Sequence, residues 1–252
     1  IKTNNIFVFH DDMDIGLGKV KVKFGGSDAG HNGIESIDKN IGKILDYLDE
    51  SGLAENTVVI YAADQGYFLG EHGFFDKRLI YEESLRMPFV IRYPKEIEAG
   101  ARIKEMILNI DFAPLMADYA GIEKPIYMQG KSFRALLNGK KTLPWRNEIY
   151  YRYWLHHPDR PAHFGIRNER YKLAYFYGKG LNKKGVHPTH TKPEWEFYDL
   201  QEDPKENNNA IANPKYKELI KNMKTALIKL REQYGDTDPD HPELQLAISQ
   251  EP

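Results

Sequence analysis

Between Thr57 and Pro94 the chain sets an acid, an amide, an imidazole and an amine within a short reach: TVVIYAADQG, then YFLGEHGFFDKRLIYEESLRMPFVIRYP. Asp64 and Gln65 directly follow a continuously apolar run, and Gly66 lets the chain turn behind them. A carboxylate beside a side-chain carbonyl is hard oxygen ligation, which suits Ca²⁺ or Mg²⁺ rather than a soft metal. His72 and Lys77 add donors that could hold an anionic group near such a cation. The chemistry would be stabilisation of negative charge on a bound oxyanion. Asp-Gln-Gly is equally a common turn composition, so the letters by themselves leave a solvated turn open.

These groups need a frame. The run at 57–63 suits a parallel strand buried on both faces, and open α/β sheets bind ligands outside the carboxyl ends of their strands. Upstream, Ile37, Ile41, Ile44, Leu45 and Leu48 mark one face of an amphipathic helix that Ser51-Gly52 ends. NIFVF (5–9) reads as a buried strand, KVKVKF (19–24) as a half-buried one, and GGSDAGHNG (25–33) as a glycine-rich loop. MPFVIRYP (87–94) predicts another strand, and 111–121 a helix with Asp111 as N-cap.

After Trp145 the texture turns aromatic and basic. EIYYRYW, HFGIRNERYKLAYFYG and EWEFYDL predict antiparallel strands of a smaller subdomain. Asn209 to Gln233 contains a charged amphipathic helix, and GDTDPDHPE onward reads as a loose tail. Arg167, Arg170 and Lys172 read as a solvated or salt-bridged strand face, and Arg86 as an ion pair with Glu82 or Glu83.

Composition narrows the function classes. The 252 residues carry a net charge of −2, so no overall basic field attracts nucleic acid or anionic membrane. No apolar run has the length of a bilayer span. With no cysteine, disulfides, thiolate metal sites and a cysteine nucleophile fall away. The first residue is Ile1, and the chain reads as a piece of a longer protein.

The ordered segments ILDYLDESGLAENTVVIYAADQG, LGEHGFFDKRLIYEESLRMPFVIRYP, DFAPLMADYAGI with MQGKSF, and GIRNERYKL with EWEFYDLQEDPKENNN closely resemble the C-terminal half of a type I sulfatase of the alkaline phosphatase superfamily. The resemblance covers residues 37 to about 235. It implies that Asp64 and Gln65 ligate a divalent cation, usually Ca²⁺ with Mg²⁺ possible; Gln65 stands where Asn or His is common. It implies that Lys77 reaches the sulfate and that His72 faces the same pocket or supports it. The implied reaction is sulfate-ester hydrolysis with a formylglycine nucleophile, on a carbohydrate sulfate. The nucleophile motif and the first metal aspartates belong to the family's N-terminal half, so no turnover is expected of this chain. RYWLHHPDRPAHFG is similar to sulfatases acting on sugar sulfates, which makes His156, His157 and His163 candidates for sugar contact. Sulfatases of this kind work in the periplasm or outside the cell.

Residues 1–36 differ. IFVFHDDMDIGLGKVKVKFGGSDAGHNGIESI resembles the central segment of bacterial peptidyl-tRNA hydrolase, a cytoplasmic enzyme. That match implies that Asp11 orients a catalytic His and that His31 and Asn32 contact peptidyl-tRNA. Lys19, Lys21 and Lys23 could then touch phosphate. The family's catalytic His comes from earlier sequence, so tRNA is a partner only if this segment is functional.

The expected fold is therefore α/β: a partial alkaline-phosphatase-like sheet with helices on both faces, plus a small C-terminal α+β subdomain with an antiparallel sheet. The expected divisions are 1–36, 37–145, 146–235 and a tail at 236–252, with a junction between Ser36 and Lys43. Three alternatives to the sulfatase stay open: peptidyl-tRNA hydrolase, a phosphodiesterase or phosphatase of the same superfamily, and a non-catalytic glycan-binding remnant.

Overall fold

The computed structural model describes residues 6–10, 32–139 and 144–249 and resolves into two compact units. The first comprises residues up to Asp64 together with 88–143, and the second comprises 65–87 with 144 onward. The strand at 19–24, Lys19, Lys21, Lys23, Asp11 and His31 lie outside the described residues.

In the first unit β1 (Ile6–His10) runs parallel to β2 (Val58–Ala62), in register from Ile6 with Val58 to His10 with Ala62. The connection carries α1 (Asn32–Glu50), as a parallel pair requires a long crossover. The expected helix thus starts earlier than Ile37, at Asn32. It stops where the sequence says: Gly52 adopts φ +69° and the Leu53 N–H donates to Leu48 O at 2.9 Å. β3 (Phe89–Arg92) pairs antiparallel with β2, so the three-stranded sheet is mixed and β2 is central. Arg92 reaches back to Asp49 at 2.7 Å.

Downstream of the sheet come α3 (Phe112–Ala120) and the short α4 (Arg134–Leu137). Asp111 precedes α3 but does not cap it through its side chain. Fully buried, it accepts the backbone N–H groups of Leu108 and Lys131, both at 2.8 Å, and so pins the MQGKSF stretch. Gly130 in that stretch lies so close that a Cβ would sit 1.9 Å from Ile110 O. Arg134 bonds Glu96 and Asp118 and lies 4.5 Å over the Tyr119 ring.

The second unit is built on β4 (Glu148–Tyr153), β5 (His163–Asn168), β6 (Tyr171–Phe176) and β7 (Glu194–Asp199), antiparallel throughout and in chain order. Asn168 Oδ1 closes the β5–β6 turn by accepting N–H bonds from Arg170 and Tyr171. The period of two separates the faces. Phe164, Ile166, Leu173, Tyr175 and Phe197 point to one side, against Ile220, Met223 and Leu227 of α5 (Lys217–Gln233). Ala174, Phe176 and Tyr198 point to the other, against Phe68, Leu79, Ile80 and Tyr81 of the 65–87 segment and its short helix α2 (Glu82–Leu85). Gly165 belongs to this second face, where a Cβ would meet Ile80 Cδ1 at 2.5 Å.

The residues expected as a loose tail are ordered instead. Helix α6 (Pro242–Ser249) buries Leu244 and Ile248 in the α5 core, and Asp236 and Asp238 both bond Arg152, at 2.5 and 2.7 Å. Two buried apolar side chains and a paired buried guanidinium outweigh the Gly, Pro and Asp texture of 235–242. Among the described residues no helix is long and apolar enough to cross a membrane.

Candidate functional site

The second face of the antiparallel sheet carries polar side chains at the positions between its apolar ones, and these grip the 65–87 segment. Tyr151 donates through its hydroxyl to Arg78 O at 3.0 Å. Tyr81 donates to Glu196 at 2.9 Å. Glu82 takes Arg167 at 2.9 Å and Lys172 at 3.0 Å, and Lys172 also pairs with Glu206 at 2.7 Å. Glu206 in turn accepts the Glu82 backbone N–H at 2.7 Å. Burial pushes the Glu82 carboxyl up, but Arg167 and Lys172 more than offset it and hold the group at about 2. For Glu206 burial prevails over Lys172 and the shift is upward.

Lys172 is salt-bridged, one of the two expected outcomes, and at 0% exposure its ion pairs are interior. The reason is that both faces of this sheet are covered. Arg167 and Arg170 are salt-bridged as expected, Arg170 to Asp199 at 2.7 Å. Arg86 does pair with Glu82, at 3.8 Å and largely exposed, a contact of minor strength.

Within the gripped segment, Gln65 and Lys77 are joined through one residue that the sequence did not single out. Ser84, fully buried, accepts Gln65 Nε2 on its hydroxyl at 2.8 Å and donates to Lys77 O at 2.6 Å. The same Gln65 amide also donates to Ser84 O at 2.8 Å. Both amide hydrogens are thereby engaged, which leaves Oε1 as the acceptor end of Gln65. Nothing in YEESLR marked its serine beforehand, because the contact spans nineteen positions of chain. Gly66 is what permits the approach: its N–H donates to Ser84 O at 2.8 Å, and a Cβ there would lie 2.1 Å from Glu83 O. Asp64 ends the first unit with an exposed side chain, and its backbone carbonyl accepts Asn109 Nδ2 at 3.2 Å. The donor set at 64 and 65 is thus carboxylate and amide oxygen, which fits a hard cation. No cluster of three or more acidic, His or Cys ligands occurs among the described residues.

His72 sits at φ +52° with its ring stacked on Tyr81 at 4.4 Å and edge-on to Phe68 at 6.0 Å. Its Nε2 lies 3.6 Å from Glu83 Oε2. The ring is engaged in packing on the sheet-facing side of the segment. His156 and His163, expected as sugar contacts, are interior instead. His156 Nε2 faces Thr189 O at 2.7 Å while Nδ1 accepts the Ala162 N–H at 3.2 Å. His163 bonds Pro161 O at 2.7 Å and packs on Tyr151 and Phe176. Strand β5 begins at His163 and directs it to the covered face, which the sequence had no means to show. His157 alone of the three is partly exposed, at 38%. Asn32 opens α1.

Burial lowers the His163 imidazole to about 4. In the unfolded chain such a ring titrates near 6.5, so the unfolded state binds the extra proton between those values. Stability is therefore full above pH 6.5, falls as pH drops toward 4, and loses nothing more to this group below that. The total is about 3 kcal/mol, from about 1.4 kcal/mol for each pKa unit. Urea titrations between pH 7 and 4 should show this slope, and His163→Gln should flatten it.

A family model described as N-sulphoglucosamine sulphohydrolase, C-terminal, matches residues 70–233, and the peptidyl-tRNA hydrolase model matches residues 1–48. The second match extends past Ser36 to Leu48, two residues short of the end of α1. An N-acetylglucosamine-6-O-sulfatase of Bacteroides thetaiotaomicron is 41% identical over 212 residues, which is 82% of this chain and 36% of that protein. An arylsulfatase of Clostridium perfringens is 31% identical over 80% of this chain and 39% of its own length. Among solved structures, BT4656 in complex with its substrate D-glucosamine-2-N,6-O-disulfate superposes with a TM-score of 0.73 and 40% identity, over 82% of this chain and 40% of that one. The chain thus spans about two-fifths of the length of the relatives it matches. With the family model covering well over half of its residues, from the Lys77 segment through the sheet that grips it to α5, the chain belongs to the N-sulphoglucosamine sulphohydrolase C-terminal family of sulfatases.

Proposed function

We propose that this chain is the sulfate-recognising portion of a carbohydrate sulfatase whose substrate is a glucosamine carrying a 6-O-sulfate. The observation that carries this reading is the Gln65–Ser84–Lys77 link, which ties the Gln65 side chain to the backbone of Lys77 on one braced segment. The similarity to an N-acetylglucosamine-6-O-sulfatase and to the disulfate-bound structure supports the choice of sugar. Sulfatases of this family hydrolyse sulfate esters with a metal and a formylglycine.

In this reading Lys77 donates to non-bridging sulfate oxygens and offsets the charge they carry. Asp64 and Gln65, consecutive in the chain, are the residues that would hold the cation, Ca²⁺ being the choice of best fit to carboxylate and amide oxygens. A bound cation would neutralise further charge on the sulfate. Ser84 keeps the Lys77 backbone in place, and His72 packs the turn between them. Relatives named as extracellular sulfatases favour a periplasmic or extracellular setting for the protein.

Calorimetric titration tests the reading. The chain should bind N-acetylglucosamine 6-O-sulfate about tenfold more tightly than N-acetylglucosamine, as one charge-assisted contact implies. Lys77→Ala should abolish that preference. Equal binding of the two sugars by the unmodified chain would contradict it.

A further inference from the structure

On the second unit, next to Lys77 along the chain, lies an open groove of about 400 Å³ lined by Arg78, Tyr153, His157, Arg160 and His187 with Leu155 and residues 185–188. Among the described residues no carboxylate lines it. Asp76, just behind, takes Arg78 at 3.2 Å and Arg160 at 3.4 Å through the same oxygen, Oδ2. One carboxylate therefore orients two guanidiniums and neutralises only one of them. The Arg160 Nε hydrogen is buried without a hydrogen-bond partner.

The two imidazoles are arranged to donate. His157 Nδ1 accepts the Asp159 backbone N–H and His187 Nδ1 accepts that of Thr189, each at 3.2 Å. In the neutral ring the proton is then on Nε2, and in the charged ring it is there as well. The rings meet edge to face at 5.0 Å, which holds the pair together. Asp159, beside them, is 76% exposed and 3.5 Å from His157 Nδ1, where solvent screens it. A groove whose polar lining is guanidinium, imidazole N–H and phenol offers donors almost exclusively.

We propose that this groove is a second anion subsite, which takes an additional sulfate or carboxylate of the sugar whose 6-O-sulfate meets Lys77. It makes the chain selective for doubly anionic sugars over singly sulfated ones. Arg160 and His187 are its principal donors, with Arg78 shared between groove and Lys77 segment. The inference rests on the sulfatase reading above, and separate signals distinguish failure of the one from failure of the other.

The test is a titration followed by NMR, with the side chains of lysine, arginine and histidine labelled. The probes are glucosamine-6-O-sulfate and glucosamine-2-N,6-O-disulfate. The disulfate should shift His157, His187 and Arg160 signals saturably and bind about tenfold more tightly than the monosulfate, which should shift Lys77 alone. Arg160→Gln and, separately, His187→Gln should erase the tenfold advantage while leaving monosulfate binding intact. Lys77 shifts with both sugars, but no groove shifts and no disulfate advantage, would overturn the second subsite and leave the sulfatase reading standing. Groove shifts without any Lys77 shift would sink the sulfatase reading, and the proposal as stated with it.

Discussion

Replacing Lys172 by methionine should lower the melting temperature of the second unit by about 10–20 °C, the largest effect expected of any single surface-like residue in the sequence. The change leaves Glu206 buried without the Lys172 cation and Glu82 with Arg167 and the distant, exposed Arg86 among the described residues. Removing one member of a buried ion cluster typically costs about 3–5 kcal/mol, because an uncompensated charge remains. All three tryptophans, Trp145, Trp154 and Trp195, fall in the second unit, so their fluorescence reports its unfolding without interference from the first. The double variant Lys172→Met with Glu206→Gln should recover most of the loss, since it removes a charge along with its partner. A melting point within about 2 °C of the parent for the single variant would show that the cluster does not brace the segment.

Gly66→Ala should be nearly as damaging and for a different reason. The added Cβ would meet Glu83 O at 2.1 Å and Arg86 O at 2.9 Å, both backbone atoms that no rotamer change can move aside. Accommodation requires the YEESLR turn to retreat from Gly66, which breaks the 2.8 Å bond from Gly66 N–H to Ser84 O and loosens Ser84 from Gln65 and Lys77. Overpacking of this kind costs about 3 kcal/mol or somewhat more, at the upper end of its usual range. Gly42→Ala is the matched control. Gly42 lies inside α1 with nothing within 4 Å of a built Cβ, so alanine there should stabilise the helix by about 0.5–1 kcal/mol. Denaturant titrations of the two variants should move in opposite directions. If they move together, the crowding at Gly66 is not what holds the segment.

Both predictions concern contacts that the sequence carried only in part. Helix α1, strands β2 and β3 and the four antiparallel strands were legible, because each has a local period or a local stop such as Ser51-Gly52. The roles of Asp64, Gln65 and Lys77 came from the family resemblance, because Asp-Gln-Gly after a strand is also a common turn composition. What was not legible is partnership across long stretches of chain. The 65–87 segment follows β2 directly, yet it packs with residues 144 onward, since its apolar side chains Phe68, Leu79 and Ile80 complete the second face of the later sheet. That covering explains at once why the ion pairs of Lys172 are interior and why His163 is not at the surface. Lys172 and His163 occupy positions that would face water on a one-sided sheet, and here they are interior. Ser84 was missed because a serine in a short helix has no signature until its two partners are known.

In the proposed function Lys77 is presented to a sulfate by this braced segment. The most direct measurement is the NMR signal of the Lys77 ε-methylene during titration with N-acetylglucosamine 6-O-sulfate. A saturable shift of Lys77 is expected, one that N-acetylglucosamine does not produce and that Gly66→Ala diminishes. A Lys77 signal that stays fixed while the sulfated sugar binds would contradict it.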